Sequence, residues 1–388
     1  MNKITFCIPS KSNLRYLKTA IPSIRKNAYR KDHDIIVFVD SDEDGTVDWL
    51  EKNAESLGVK YYVNPNLGSS LYGIGKAYDY CIDKSETNIV MIFHADMMLG
   101  KDADLHAFKH LKPLSVVCST RIEPPLHPNA GEKILEDFGL WPEEFKEEEF
   151  DSYVDSLIIQ NKNKTTEGVF APWMVYKEDI QSVGGHDPIM HSCREDSDLF
   201  NRFVLNGYTL VQSWDSLVYH LTGRGAGSFG GDEKRHEQWK LDMNNSTKEF
   251  IRKWGCGVKH DPLMKPVVPH KYDVEFVVRN CQAQHLELLE PWCDRMSVDC
   301  SQDLINQYIE SEQPNTKFDL SKKFNMNEKS DIIVEFDALR LNNNSFQFIQ
   351  NLSQIFDFNN FDSGEYEFDI FKVKVNQVKH YEMNLINL

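Results

Sequence analysis

Three short apolar runs limit what this chain can fold into: Ile4-Thr5-Phe6-Cys7-Ile8, residues 34–39 (DIIVFV) and residues 88–93 (NIVMIF). Each is too short for a core helix and is apolar on both faces, the pattern of a strand covered above and below. Polar residues close all three: Pro9-Ser10, an acidic cluster that begins at Asp40, and His94-Ala95-Asp96. Helical patterns lie between them. Residues 14–27 place Leu14, Leu17, Ile21 and Ile24 on one face, 47–56 and 75–84 read as further helices, and 60–63 reads as a short strand. Buried strands separated by helices predict an α/β fold with a parallel sheet. Such sheets bind ligands beyond the carboxyl ends of their strands, where Pro9, Ser10, Asp40, His94 and Asp96 fall.

The middle of the chain is less regular. Pro124-Pro125, Pro128, Trp141-Pro142 and the acidic run 143–151 read as a surface excursion with a solvated helical face. A strand region at 166–176, a helix at 196–205 closed by Asn206-Gly207, and a strand at 217–220 follow. Next come a loop at 222–232 with five glycines and a helix at 244–253. Pro262, Pro266 and Pro269 mark a linker. Beyond it the pattern is α+β: strands at 274–278, 332–336 and 366–375, and helices at about 284–295, 302–311 and 346–355. The expected organisation is therefore a domain over 1–262 and a smaller α+β domain over 263–388.

Composition narrows the function classes. Lys+Arg number 43 against 60 Asp+Glu, a net charge of −17, so binding to duplex nucleic acid or anionic lipid is not expected. Eight cysteines include no CxxC pair and sit mostly in apolar runs, as reduced core thiols do. The apolar stretch at 4–8 is too short for a signal peptide, and no run approaches the ~20 residues that span a bilayer. A soluble, cytoplasmic protein is expected, with no transmembrane segment.

Four groups of residues can carry chemistry. His94 and Asp96 are two apart after a strand, so in extended backbone both can reach one divalent cation; a strand-end histidine beside a helix-capping aspartate fits equally. Glu195, Asp196 and Asp198 crowd the start of a helix, where one of them can serve as a general base. The same residues also fit a capping box from Ser192 to Glu195 and an Asp198–Arg202 pair. His220 becomes a third metal ligand only in company with His94 and Asp96, and Arg224 in the following loop offers a fork to phosphate. Gly73-Ile74-Gly75-Lys76 opens a helix whose N–H groups can meet an anion, although the third glycine of a dinucleotide fingerprint is missing.

Taken in order, these segments resemble the family 2 glycosyltransferases with the GT-A fold, over about residues 3–255. Ile8-Pro9-Ser10 resembles the family's first nucleotide-contacting turn, and Val39-Asp40-Ser41-Asp42-Glu43-Asp44-Gly45-Thr46 its "DDGSxDGT" segment. Gly75-Lys76-Ala77 is similar to the helix near the diphosphate, His94-Ala95-Asp96 holds the DxD position, and Gly184-Gly185-His186-Asp187 with Glu195-Asp196 resembles the "GGFDE…ED" signature near the acceptor. Val218-Tyr219-His220 is similar to the strand-end histidine of galactosyltransferase-like members. The resemblance implies a mostly parallel Rossmann-like sheet and transfer of a sugar from a nucleotide-diphosphate donor, UDP-linked, to an acceptor hydroxyl. It implies Mn²⁺ or Mg²⁺ on Asp96, His220 and His94. Pro9, Ser10, Asp40, Lys76, His94 and Arg224 would face the nucleotide, with Asp40 on the base. Asp196 or Glu195 would be the catalytic base, and Gly185 would lie near the acceptor. Trp173 can offer its ring to a sugar or pack in the core. Two rival readings are a nucleotidyltransferase acting on a sugar phosphate and a non-catalytic protein that binds nucleotide sugars.

Overall fold

A computed structural model describes residues 1–128, 131–223, 233–324 and 330–381. The chain forms two compact units, Met1–Asp242 with His260–Val267, and Met243–Lys259 with Val268–Leu388. It thus changes unit at 242/243, 259/260 and 267/268, where the proline-rich linker alone suggests a single boundary at 262/263. The reason is in the helix Glu233–Trp254. Its buried Arg252 meets Glu249 at 2.8 Å, Glu290 at 2.5 Å and Glu312 at 2.7 Å, which ties the last turns of that helix into the second unit.

The first unit is built on β1 (Thr5–Lys11), β2 (Asp34–Ser41), β3 (Val59–Val63), β4 (Ile89–Ile92), β5 (Met97–Leu99), β6 (Ser115–Glu123), β7 (Ile134–Leu135), β8 (Thr165–Glu167), β9 (Trp173–Tyr176) and β10 (Thr209–His220). The order is β3-β2-β1-β4-β9-β6-β10-β5, with β7 beside β6 and β8 beside β10. β1, β2, β3 and β4 run parallel, as do β6 and β10, while β9 is antiparallel to both β4 and β6. The six strands β1, β2, β3, β4, β6 and β10 therefore all point their carboxyl ends to one edge of the sheet. The three apolar runs form β1, β2 and β4, and their apolar residues from Ile4 to Ile8, Ile35 to Val39 and Ile89 to Phe93 are buried. The central strand β6 is absent from the expected elements. Its Ser115, Ser119, Thr120, Arg121 and Glu123 break the apolar run, yet every residue of it is buried.

The second unit carries β11 (Val274–Arg279), β12 (Arg295–Val298), β13 (Ile332–Asp337), β14 (Gly364–Phe368) and β15 (Phe371–Val375), ordered β12-β11-β13-β15-β14. β12, β11 and β13 are parallel, and β15 and β14 extend the sheet antiparallel. The strand expected over 366–375 is this last hairpin, turned at Asp369 with φ +51°. The helix expected over 346–355 is two helices, Asn343–Gln350 and Leu352–Phe358, that meet at Asn351. The eight cysteines are free. Among the described residues, no helix is long and apolar enough to cross a membrane.

Candidate active site

At the carboxyl edge of the first sheet lies a cavity of about 270 Å³. Strand ends supply much of its wall: Pro9, Ser10 and Lys11 from β1, Asp40 from β2, His94 to Asp96 after β4, and His220 from β10. His94, Asp96 and His220 each turn one ligand atom into a group whose atoms all lie within 4.8 Å of one another. His220 Nε2 is 3.6 Å from Asp96 Oδ1, and the two imidazole centroids are 5.7 Å apart.

The convergence has a backbone cause. The segment after β4 is a turn, closed by Met97 N–H donating to the His94 carbonyl at 3.3 Å, and not the extended stretch that i, i+2 spacing suggests. β5 then doubles back antiparallel to β10 with His220 opposite Met97, and Leu221 N–H donates to the Asp96 carbonyl at 3.1 Å. That pairing, and not the two-residue spacing, sets Asp96 beside His220.

Glu123 completes the arrangement. β6 and β10 run in parallel register, Ile122 opposite Tyr219, and the Glu123 carboxylate lies 2.8 Å from His220 Nδ1. This bond places the proton on Nδ1 and leaves Nε2 with a lone pair towards Asp96. Arg121 and Lys133 also meet Glu123, each at 2.8 Å. Burial would raise the Glu123 pKa, but the hydrogen bond from His220 and the charges of Arg121 and Lys133 hold it well below the usual carboxylate range. Burial pushes His94 down to about 4, against the pull of Asp96, so its ring is neutral at pH 7. Two imidazoles and a carboxylate form a donor set suited to a borderline divalent cation. Replacing Glu123 by Gln is expected to weaken Mn²⁺ affinity about 10–100-fold, as loss of a ligand-orienting carboxylate does; calorimetric titration with Mn²⁺ checks this.

The cavity wall holds buried polar atoms with no hydrogen-bond partner among the described residues: Ser10 Oγ, Asn13 Oδ1 and Tyr78 OH. Buried polar atoms are rarely left unpaired, so this wall is arranged for a polar ligand. Neither Asn13 nor Tyr78 is marked by sequence pattern: Asn13 immediately precedes the helix Leu14–Asn27, and Tyr78 reads as an ordinary helix residue. Asp40 also lines the cavity, but its carboxylate accepts from Tyr72 N–H at 2.6 Å, Asn64 Nδ2 at 3.0 Å and Gly73 N–H at 3.0 Å. It fastens the far wall of the cavity and has little capacity left for a nucleobase.

Glu195 and Asp196 begin the helix Glu195–Leu205, directly after lining residues His191 and Ser192. No capping box forms; Cys193 and Arg194 carry φ of +95° and +69°, an unusual turn for residues with side chains. Asp198 does pair with Arg202, at 2.9 Å and fully buried. The two leading carboxyls differ. Glu195 is buried, its Oε2 has no hydrogen-bond partner among the described residues, and burial together with the charge of Asp196 pushes it up to about 8. Asp196 is half-buried, its Oδ1 accepts from Ser197 N–H at 2.6 Å, and its charge acts on His94. At pH 7 Glu195 is therefore largely protonated.

A pH dependence follows. The unfolded chain loses the Glu195 proton near 4.5 and the folded protein near 8. Between these values the unfolded state binds fewer protons, so this group makes stability fall as pH rises, by a few kcal/mol in all. Glu195→Gln is expected to remove that slope, so the variant gains stability over the parent at pH 8 and not at pH 4. Urea unfolding at both pH values checks it; identical slopes in the two proteins would count against a protonated Glu195.

Other expected site residues lie elsewhere. Trp173 is 1% exposed, packed edge-on against Phe200 and Phe203, and cannot meet a sugar. Gly185 serves packing: at φ +68°, a Cβ there would come within 2.8 Å of Asp79 Oδ2, and Arg202 donates to its carbonyl at 2.6 Å. Lys76 does not line the cavity; its Nζ lies 6.0 Å from the Tyr72 ring. Gly73 and Gly75 admit close contact with His191 and His186, and the Gly73 and Ile74 N–H groups are taken by Asp40 and the His191 carbonyl, so neither is open to a diphosphate. Arg224 lies outside the described residues.

The mostly parallel sheet with its single central antiparallel strand, and the acidic and imidazole groups at its carboxyl edge, are consistent with a GT-A fold. Over residues 5–166 the chain matches the family profile described as Glycosyl transferase family 2. No curated protein matches the chain. Among solved structures it is similar to S. aureus TarS 1-349 in complex with UDP, at 14% identity and TM-score 0.41 over 64% of this chain and 72% of that chain. It is also similar to GalNAc-T7 with UDP, GalNAc and Mn²⁺, at 11% identity and TM-score 0.43 over 64% of this chain and 50% of that chain.

Proposed function

We propose that the first unit transfers a sugar from a nucleotide-diphosphate donor, UDP-linked, to an acceptor hydroxyl, with inversion at the anomeric carbon. The observation that carries this reading is the meeting of His94, Asp96 and His220 at the sheet's carboxyl edge. These three would hold Mn²⁺ or Mg²⁺, and such a cation neutralises charge that develops on the leaving diphosphate. Glu123 keeps His220 in the required tautomer. Ser10, Asn13 and Tyr78 give the donor's polar groups partners inside the cavity. Asp40 positions the 64–73 wall and has one lone pair left to meet the nucleotide. Asp196 takes the proton of the acceptor hydroxyl as its oxygen attacks from the face opposite the leaving group. Neutral Glu195 beside it adds no second negative charge.

Incubation with a panel of UDP-sugars, Mn²⁺ and simple hydroxyl acceptors tests the proposal. Free UDP together with a β- or α-linked product of inverted configuration is the expected outcome. Free pyrophosphate from a nucleoside triphosphate and a sugar phosphate would mean nucleotidyl transfer instead. Binding of nucleotide sugar with neither product would mean a non-catalytic protein.

A further inference from the structure

The second unit has a cavity of its own, of about 550 Å³, within the size range of small-molecule sites. Its position follows from topology. β11 leads to β12 on one side, whereas β13 leads away on the other, so the sheet's connections diverge between the carboxyl ends of β11 and β13. Ligands of open α/β sheets bind at such a divergence. The walls come from the segments that leave those two strands, Gln284 and His285 after β11 and Ala338 to Phe346 after β13, with Asn244 and Lys248 from the helix Glu233–Trp254.

The chemistry of the walls is specific. The side-chain amides of Asn244, Gln284 and Asn343 have no partner among the described residues, and each offers both donors and an acceptor. His285 is 8% exposed, and its Nδ1 accepts the Gln282 N–H at 3.1 Å, so the ring proton sits on Nε2 as one more donor. Phe346 supplies an aromatic face, held at 5.7 Å and 83° against Trp292. Charge is cancelled: Lys248 pairs with Glu312 at 3.2 Å and Glu287 at 3.8 Å. The N–H groups of Asn344 and Ser345 are taken by the Asn342 side chain, so no anion cradle is open there. Amides that donate and accept, one fixed ring and no net charge match a polyhydroxyl ligand with apolar C–H faces, and match neither a phosphate nor a peptide carboxylate.

We propose that this cavity is a second ligand site, one that binds a neutral mono- or disaccharide. Ligand-observed NMR on the full chain tests it, with glucose, galactose, N-acetylglucosamine and maltose as probes and glucose 6-phosphate as a charged control. At least one neutral sugar is expected to bind saturably with a millimolar Kd. Gln284→Ala and Asn343→Ala, both on exposed helix positions that leave folding intact, are each expected to weaken it about fivefold. Phe346→Ala should weaken it further. Asp96→Asn and saturating UDP should leave it unchanged. The site is refuted if no neutral sugar binds, if binding ignores both amide variants, if UDP displaces the sugar, or if glucose 6-phosphate binds more tightly than glucose. UDP release from a UDP-sugar, measured on the same preparation, reports on the first unit alone, so failure of either proposal is seen separately.

Discussion

Asp196→Asn is expected to slow sugar transfer about 10²–10⁴-fold, the usual contribution of a positioned general base, while UDP affinity stays within about twofold. The substitution keeps the shape of the side chain and its place at the head of the helix Glu195–Leu205. It removes the negative charge and with it the ability to take a proton. Glu195 cannot take over at neutral pH, because burial and the Asp196 charge push it up to about 8. Removing the Asp196 charge lets Glu195 ionise at lower pH, so some activity should return in the variant as pH rises. A loss confined to kcat, with the Kd for UDP preserved, marks an interaction made in the transition state. Equal losses in both would take Asp196 out of the base role.

Asp96→Ala and His220→Ala are expected to have effects at least as large, and on a different quantity. Removal of an orienting carboxylate costs about 10–100-fold in metal affinity, so loss of a direct ligand should cost more, on the order of 10³-fold. Transfer should fall with it, and UDP binding should lose its dependence on Mn²⁺. His220→Ala has a further consequence. It leaves Glu123, buried and still facing Arg121 and Lys133, without its third partner. A modest loss of stability should therefore accompany His220→Ala and not Asp96→Ala. Calorimetry with Mn²⁺ and thermal unfolding of the two variants separate these effects.

Much of the first unit was legible in the chain because parallel strands buried on both faces write themselves as uninterrupted apolar runs. β1, β2 and β4 follow that rule, and their carboxyl ends carry three of the cavity's walls. β6 does not follow it. Its Arg121 and Glu123 stand two apart, on one face of a strand otherwise made of small and β-branched residues. Charges in such a strand are paid for by pairing, here with His220, Lys133 and one another. That alternation was the available sign of Glu123. The Asp96–His220 meeting depends on β5, three residues long, pairing with β10 more than a hundred residues away; no local pattern encodes it. Trp173 shows the reverse error. An aromatic residue beside a proline looks the same in sequence whether it faces a ligand or a core, and only the neighbouring Phe200 and Phe203 decide. In the second unit, the two helices that meet at Asn351 and the hairpin at Asp369 were hidden because a single αL or near-bridge residue is enough to end an element.

We propose above that His94, Asp96 and His220 jointly hold a divalent cation at the carboxyl edge of the first sheet. Anomalous diffraction from crystals soaked with Mn²⁺ and UDP tests it most directly. A manganese peak is expected within coordination distance of Asp96 and His220 Nε2, absent in Asp96→Ala crystals. A peak elsewhere in the cavity, or UDP bound there with no manganese beside these residues, would contradict it.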